Sequence, residues 1–242
     1  MKQPWETKQI ALEEVPAKVP NGSTVYIGST ASTAEAALGA LVEDPKKTDI
    51  QIVQMFPGGD MPHLRESVDR FRTSSFFPGG INQSAAFFKQ SEGGGGKESL
   101  QDYTPMSITS VPRLLKKGVL KVDVALIKVT PPHKGFCCLG FGVECTRDFA
   151  RHASTAVIAE ICPQMPWTEG GSSKISVDEI DWWVAPDGES LKLKTTDELW
   201  PHYAENAVVF NYPEYVFEGI GQNLIREIPD GATLKFGWSP IT

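Results

Sequence analysis

The sequence lacks any apolar run approaching the roughly 18 residues that a membrane-crossing helix needs. Its opening residues, MKQPWETKQIALEEV, contain no apolar core of the kind a secretory signal carries. No block of five or more basic residues occurs, and the net charge is −7, which argues against nucleic acid as a partner. The expectation is a soluble, cytoplasmic protein with no membrane partner. Cysteine is also scarce. Cys137, Cys138, Cys145 and Cys162 form no CxxC pair, so structural, reduced thiols are expected rather than a zinc site. A catalytic thiol at Cys137 or Cys138 would need surroundings that lower its pKa, which sequence does not reveal. His63, His133, His152 and His202 fall in neither HxH nor HExxH spacing, and no metal is expected. Two glycine-rich stretches fail as nucleotide motifs. Ser91 to Ser99 (SEGGGGKES) has Ser91 where a phosphate loop needs its first Gly and Glu98 where it needs Ser or Thr, so a mobile surface loop is expected. Gly140 to Cys145 is only G-x-G-x-x-C.

What is present is ordinary globular composition. At 242 residues, with 40% hydrophobic and 22% charged residues, the chain can bury a sizeable core in one large domain or two small ones. Ser23 to Ile27 reads as a first strand, entered through Pro20-Asn21-Gly22. Ser32 and Glu35 stand at capping-box spacing ahead of a helix over Thr33 to Val42. Ile50 to Gln54 and Ser74 to Phe77 read as strands running into Pro/Gly loops, with a short helix over Leu64 to Phe71 between them. This rhythm predicts an α/β fold with an open, mostly parallel sheet and flanking helices.

The rest is organised around Val122 to Gly140, VDVALIKVTPPHKGFCCLG. Val122 to Val129 is nearly all apolar, as suits a strand buried on both faces, with Lys128 expected to emerge toward solvent. Pro131 and Pro132 end it, since neither can donate to a ladder. Ala156 to Ile161 is a further strand, and Glu160 at its end is expected to face an interior polar contact. Trp182 to Tyr215 reads as a connecting arm. Glu214 to Glu227 reads as a helix with Val216, Ile220 and Leu224 on one face, and Ala232 to Phe236 as a new strand. Open α/β sheets build their sites at the carboxyl ends of strands. The loops after the first three strands are therefore the expected site, through Ser29, Thr30, Ala31, Met55, Phe56, Gly58, Gly79 and Gly80.

ALIKVTPPHKGFCCLG resembles a segment close to ALIQVSPPDxHGYxSLG of the acetyl-CoA hydrolase/transferase family of class I CoA-transferases. Asp102 to Leu115 (DYTPMSITSVPRLL) is similar to the family's DYxPxxLSEIPRLF. Val157 to Asp181 (VIAEICPQMPWTEGGSSKISVDEID) is similar to VIAEVNPQMPRTxGxSxIHVSEID. The likeness runs through essentially the whole chain in one register. It weakens in the first loop, where Thr33-Ala34-Glu35 stands against the family's Gly-Glu-Pro. The second loop, Gln54 to His63, resembles HMFxxGxxPY.

The resemblance implies a CoA-transferase α-like domain over 1–229, with 230–242 the start of a second-domain-like segment or a subunit-contact tail. DGATL (Asp230 to Leu234) matches the family's second-domain beginning, and Trp238 with the strand expected there would lie at the contact. The family's nucleophilic glutamate lies in an HSEMFSDG-like motif that this chain lacks. No catalytic residue is therefore expected here, and the glutamate would come from a β-like partner subunit in a hetero-oligomer. In the family that glutamate attacks an acyl-CoA thioester, and CoA is then held as a glutamyl thioester before passing to a carboxylic acid. Coenzyme A thioester enters as substrate, with no permanently bound cofactor. Glu144, Glu160, Glu169, Asp178 and Glu179 are the chain's notable carboxylates, none expected as nucleophile. Trp167 stands where the family has Arg, which removes a carboxylate fork and adds apolar surface; this is either a compensated surface change or a sign of an aromatic or apolar acid. The alternatives are a non-catalytic scaffold of the same fold and the front portion of a single-chain enzyme.

Overall fold

The structure is a computed structural model and describes residues 4–56, 61–76, 101–186, 193 and 213–235. It divides into two compact units, Met1–Pro201 and His202–Thr242. The first contains a seven-stranded parallel sheet built from β1 (Thr24–Ile27), β2 (Ile50–Gln54), β3 (Phe71–Ser75), β4 (Gln101–Tyr103), β5 (Val122–Val129), β7 (Ala153–Ile161) and β9 (Trp182–Val184). The strand order is β4-β3-β2-β1-β5-β7-β9. A separate antiparallel pair joins β6 (Phe136–Cys138) to β8 (Lys174–Ser176), with Cys137 opposite Ile175.

The near-continuous apolar runs follow from burial on both faces of this sheet. Along β5, Val124 and Leu126 join Val25, Ile52 and Ile158 in a core against α1 (Glu35–Glu43), which contributes Leu38 and Leu41. Ala125, Ile127 and Val129 point the other way, into a core with Tyr26, Val157 and Trp183. That second core is closed by α2 (Val111–Lys116), through Val111 and Leu115, and by α3 (Thr146–His152), through Phe149. Tyr26 and Phe149 stack with ring centroids 4.0 Å apart. Large apolar side chains buried in this way each contribute ~1.5–3 kcal/mol.

Several elements differ from the sequence reading. Lys128 is 2% exposed rather than solvent-facing, because its register partner Glu160 points into the same core. The expected helix over Leu64–Phe71 is only a 3-10 turn, Pro62–Arg65. Phe71 is instead drawn into β3 by its ladder to Ile50, so the strand begins before Ser74. The Ser32–Glu35 capping box does not form. Ser32 Oγ donates to the Ser29 carbonyl at 2.6 Å inside a 3-10 turn, Thr30–Ser32, and α1 starts only at Glu35. β7 begins at Ala153, opposite Val122. The arm expected from Trp182 opens instead as strand β9, held by Ile158↔Trp182 and by a bridge from Gln9 to Trp183. Ala232 to Lys235 carry no strand, and Phe236 lies outside the described residues. In the second unit α4 (Glu214–Glu227) has the expected bounds. The glycine-rich stretch 91–99 and the strand end at Phe77 fall outside the described residues.

Candidate functional site

Chain progression reverses direction across the sheet at β1. β2, β3 and β4 lie on one side of it, and β5, β7 and β9 on the other. Loops leaving the carboxyl ends of β1 and β5 therefore diverge and leave a crevice, the place where open α/β sheets bind ligands. The β1 loop is tightly wound there. A Cβ on Gly28 would lie 2.2 Å from the Ser32 carbonyl oxygen, so only glycine fits. The Gly28 carbonyl accepts from Thr33 Oγ1 at 2.8 Å and from Gln54 Nε2 at 3.1 Å. Thr30 has φ 49°, a strained conformation for a β-branched residue.

Ser29 connects this loop to its neighbours. Its hydroxyl accepts the Phe56 backbone N–H at 3.0 Å, which joins the loops after β1 and β2. Ser29 also lies near the Glu144 carboxyl, where its polar groups favour the charged form. The Tyr26 hydroxyl donates to Glu144 Oε1 at 3.5 Å and pairs with Thr146 Oγ1 at 2.8 Å. Burial pushes the Glu144 carboxyl above the ordinary carboxylate range, although these donors favour its charged form. Burial likewise raises Tyr26 well above the usual phenol range, so it stays a neutral donor. Gly142 seats the Glu144 loop against the β1 turn, since a Cβ there would lie 2.9 Å from Ser32 Cβ.

Of the residues expected in the site, Ser29, Thr30, Ala31 and Phe56 lie around this crevice. Ser29 is buried, and Thr30, Ala31 and Phe56 are half-buried. Met55 turns into the core and is 2% exposed. Gly58, Gly79 and Gly80 lie outside the described residues. Trp167 stands apart in the loop after β7, 38% exposed, with His133 edge-on at 5.9 Å and Lys174 Nζ 5.6 Å from its ring centroid. The Tyr26–Glu144 contact is absent from the sequence reading, which weighs Glu144 only as a nucleophile. Its sole local sign is the glycine at 142.

A second charged group lies beneath α1. Glu160 Oε2 accepts the Ala37 N–H at 3.0 Å, and Lys128 Nζ stands 3.5 Å from Oε1, an ion pair without hydrogen-bond geometry. Burial raises the Glu160 carboxyl against the opposing pull of Lys128. The acidic turn at Asp178–Asp181 is structural. Glu179 caps Ser176 and pairs with Arg151 at 2.7 Å, and Asp181 accepts the Val157 N–H. All four cysteines are free and buried. Burial drives Cys137 and Cys145 up to about 12. Burial acts upward on Cys138 too, but hydrogen bonds from Thr168, Gly140 and Ser173 outweigh it and hold the thiol below its ordinary value. Among the described residues, no group of three or more His, Cys, Asp or Glu could hold a metal ion. No described helix is long and apolar enough to cross a membrane.

Comparison with known proteins matches residues 1–191 to the acetyl-CoA hydrolase/transferase N-terminal domain. The 4-hydroxybutyrate coenzyme A transferase of Clostridium kluyveri is 31% identical over 240 residues, covering 98% of this chain and 50% of that protein. The chain thus spans about half the length of this curated relative. RipA from Yersinia pestis superposes with a TM-score of 0.78 at 23% identity, covering 98% of this chain and 52% of RipA. A variant of the decarboxylase AibA/AibB superposes with a TM-score of 0.53 at 13% identity, covering 90% of this chain and 93% of the matched one.

Proposed function

The chain belongs to the acetyl-CoA hydrolase/transferase family, and from that premise we propose that it is the α-like half of a heteromeric CoA-transferase. It contributes the crevice between β1 and β5, and a β-like partner contributes the nucleophile. A partner glutamate attacks the acyl-CoA carbonyl carbon, the C–S bond breaks, and CoA leaves as thiolate from an acyl-glutamyl anhydride. The thiolate then attacks the glutamyl carbonyl, releases the first carboxylic acid and forms the glutamyl thioester. A second carboxylate reverses the sequence and takes the CoA away. Oxyanions arising in these steps need preorganised donors, a role this reading assigns to the β1 loop, since the Phe56 N–H of the β2 loop already donates to Ser29 Oγ.

The observation that carries this reading is the match of residues 1–191 to the family's amino-terminal domain. A fold of this kind also fills nearly the whole of the AibA/AibB chain it matches, so it needs no covalently attached second half. The test is a steady-state assay with acetyl-CoA or succinyl-CoA and a carboxylate acceptor, with and without a companion chain that carries the glutamate motif. Turnover is expected only with the companion. Turnover by the single chain, abolished by substituting one of its own glutamates, would overturn the reading. Silence in both arms would favour a non-catalytic scaffold instead.

A further inference from the structure

Backbone pairing between β1 and β2 runs from Thr24↔Gln51 to Tyr26↔Val53. Beyond it, the Gln54 side chain takes over. Its Nε2 donates to the Gly28 carbonyl at 3.1 Å, with Thr33 Oγ1 3.5 Å away as a second acceptor. Thr33 Oγ1 itself donates to the Gly28 carbonyl at 2.8 Å, and Ser32 Oγ to the Ser29 carbonyl at 2.6 Å. Those two hydroxyls belong to the turn and would move with it. Gln54 is anchored in β2, so together with the Phe56 N–H on Ser29 Oγ it fixes where the turn stands against the sheet. Resting on the functional reading above, we propose that Gln54 is a positioning residue for this crevice. Its amide holds the Gly28–Ser32 turn against β2, in the place where that turn meets an acyl-CoA thioester.

Gln54 is fully buried, yet its Oε1 has no hydrogen-bond partner. An amide oxygen buried unpaired weakens the fold, and an apolar side chain of similar shape would remove that cost. Turning the amide over would set Oε1 against the Gly28 carbonyl, so its neighbours fix which end donates. The Gly28 carbonyl does not depend on Gln54 for a partner either, since Thr33 Oγ1 already donates to it. Stability therefore gives no reason for an amide here. What Nε2 adds is the link between turn and strand. The turn needs one, because Thr30 at φ 49° is a backbone that persists only where its surroundings over-determine it. A displacement of about 1 Å in such a loop is enough to cost on the order of 100-fold in rate.

The experiment compares wild type with Gln54→Met, of similar length but without the amide, and Gln54→His, which keeps an N–H donor. Thermal melting of the full chain should leave Gln54→Met within about 2 °C of wild type or above it, because the unpaired oxygen is gone and Gly28 keeps Thr33. In the companion assay the same variant should lower kcat on the order of 10- to 100-fold with KM for acetyl-CoA within about twofold, because a misplaced turn acts on the transition state. Hydrogen–deuterium exchange at the Phe56 amide, which donates to Ser29 Oγ, should speed on the order of fivefold or more, while the Leu126 and Ile127 amides in β5 stay unchanged. Gln54→His should restore most of the kcat and most of the protection. Unchanged kcat in Gln54→Met would overturn the assignment. So would a melting temperature that falls by about 5 °C or more alongside kcat, since the amide would then serve the fold as a whole. Should Gln54→Met not fold, Gln54→Leu carries the same comparison, and failure of both to fold overturns the assignment too. If wild type shows no turnover with the companion, the CoA-transfer reading fails, and exchange at Phe56 together with the melting temperature still decides whether Gln54 places the turn.

Discussion

At the scale of single residues, Lys128 shows how a charge at a strand end can be captured by the interior. Its register opposite Glu160 leaves it no route to water, and together they form a buried pair that ties β5 to β7 below α1. Such a pair adds little net stability, but removing one partner strands the other. Lys128→Met is therefore expected to cost about 3–5 kcal/mol by urea denaturation, and adding Glu160→Gln to it should recover most of the loss. The pH dependence has a definite sign. Glu160 has a raised folded-state pKa, caused first by burial, so its stabilising contribution is present in acid and fades as pH rises through that value. Without Lys128 the charged form is worse still. The gap between Lys128→Met and wild type should therefore widen from about pH 4 to pH 8. A gap independent of pH would show that the lysine acts by packing alone.

At the scale of elements, the turn between β1 and α1 is the least forgiving segment. Gly28→Ala places a methyl against the Ser32 carbonyl, and the turn must shift to admit it. A loss of about 1–3 kcal/mol in thermal melting is expected, together with faster exchange at Phe56, since Ser29 would move away from it. The same turn shows what sequence can and cannot reveal. Ile50–Gln54, Val122–Val129 and Glu214–Glu227 are legible to the residue, because long periodic or wholly apolar runs mark themselves. β9 is not, since three residues beginning with two tryptophans become a strand only when β7 lies alongside. β3 is displaced because its start is set by the ladder to Ile50 rather than by its own composition. The capping box fails because Ser32 has a nearer acceptor in Ser29. The sequence marks the loops after β1 and β2 by their small residues, and Ser29 and Phe56 from those loops are joined by a hydrogen bond. The Glu144 connection depends on contacts between residues as far apart as 118 positions, for which no local pattern exists.

At the scale of the whole molecule, every strand of the main sheet and both cores lie within Met1–Pro201. A protein ending at Pro201 is expected to unfold cooperatively, with a melting temperature within a few degrees of the full chain by calorimetry, since it keeps the buried apolar area that dominates folding. A broad, non-cooperative transition would show that the second unit is needed to complete the first. Phe141 and Val143 in the loop after β6, and Trp167 in the loop after β7, are exposed large apolar side chains.

The adjacency of β1 and β5 also governs how the protein is made. Thr24 and Asp123, whose hydrogen bond starts that seam, are 99 positions apart. At ~5–20 residues per second, the ribosome takes roughly 5–20 s to deliver the second after the first. During that interval the nascent β1–β2–β3 segment presents β1 as a bare apolar edge, the kind of surface on which chains aggregate or chaperones bind. Slower synthesis or depleted chaperones are therefore expected to lower the soluble fraction of the protein on expression, at unchanged final stability.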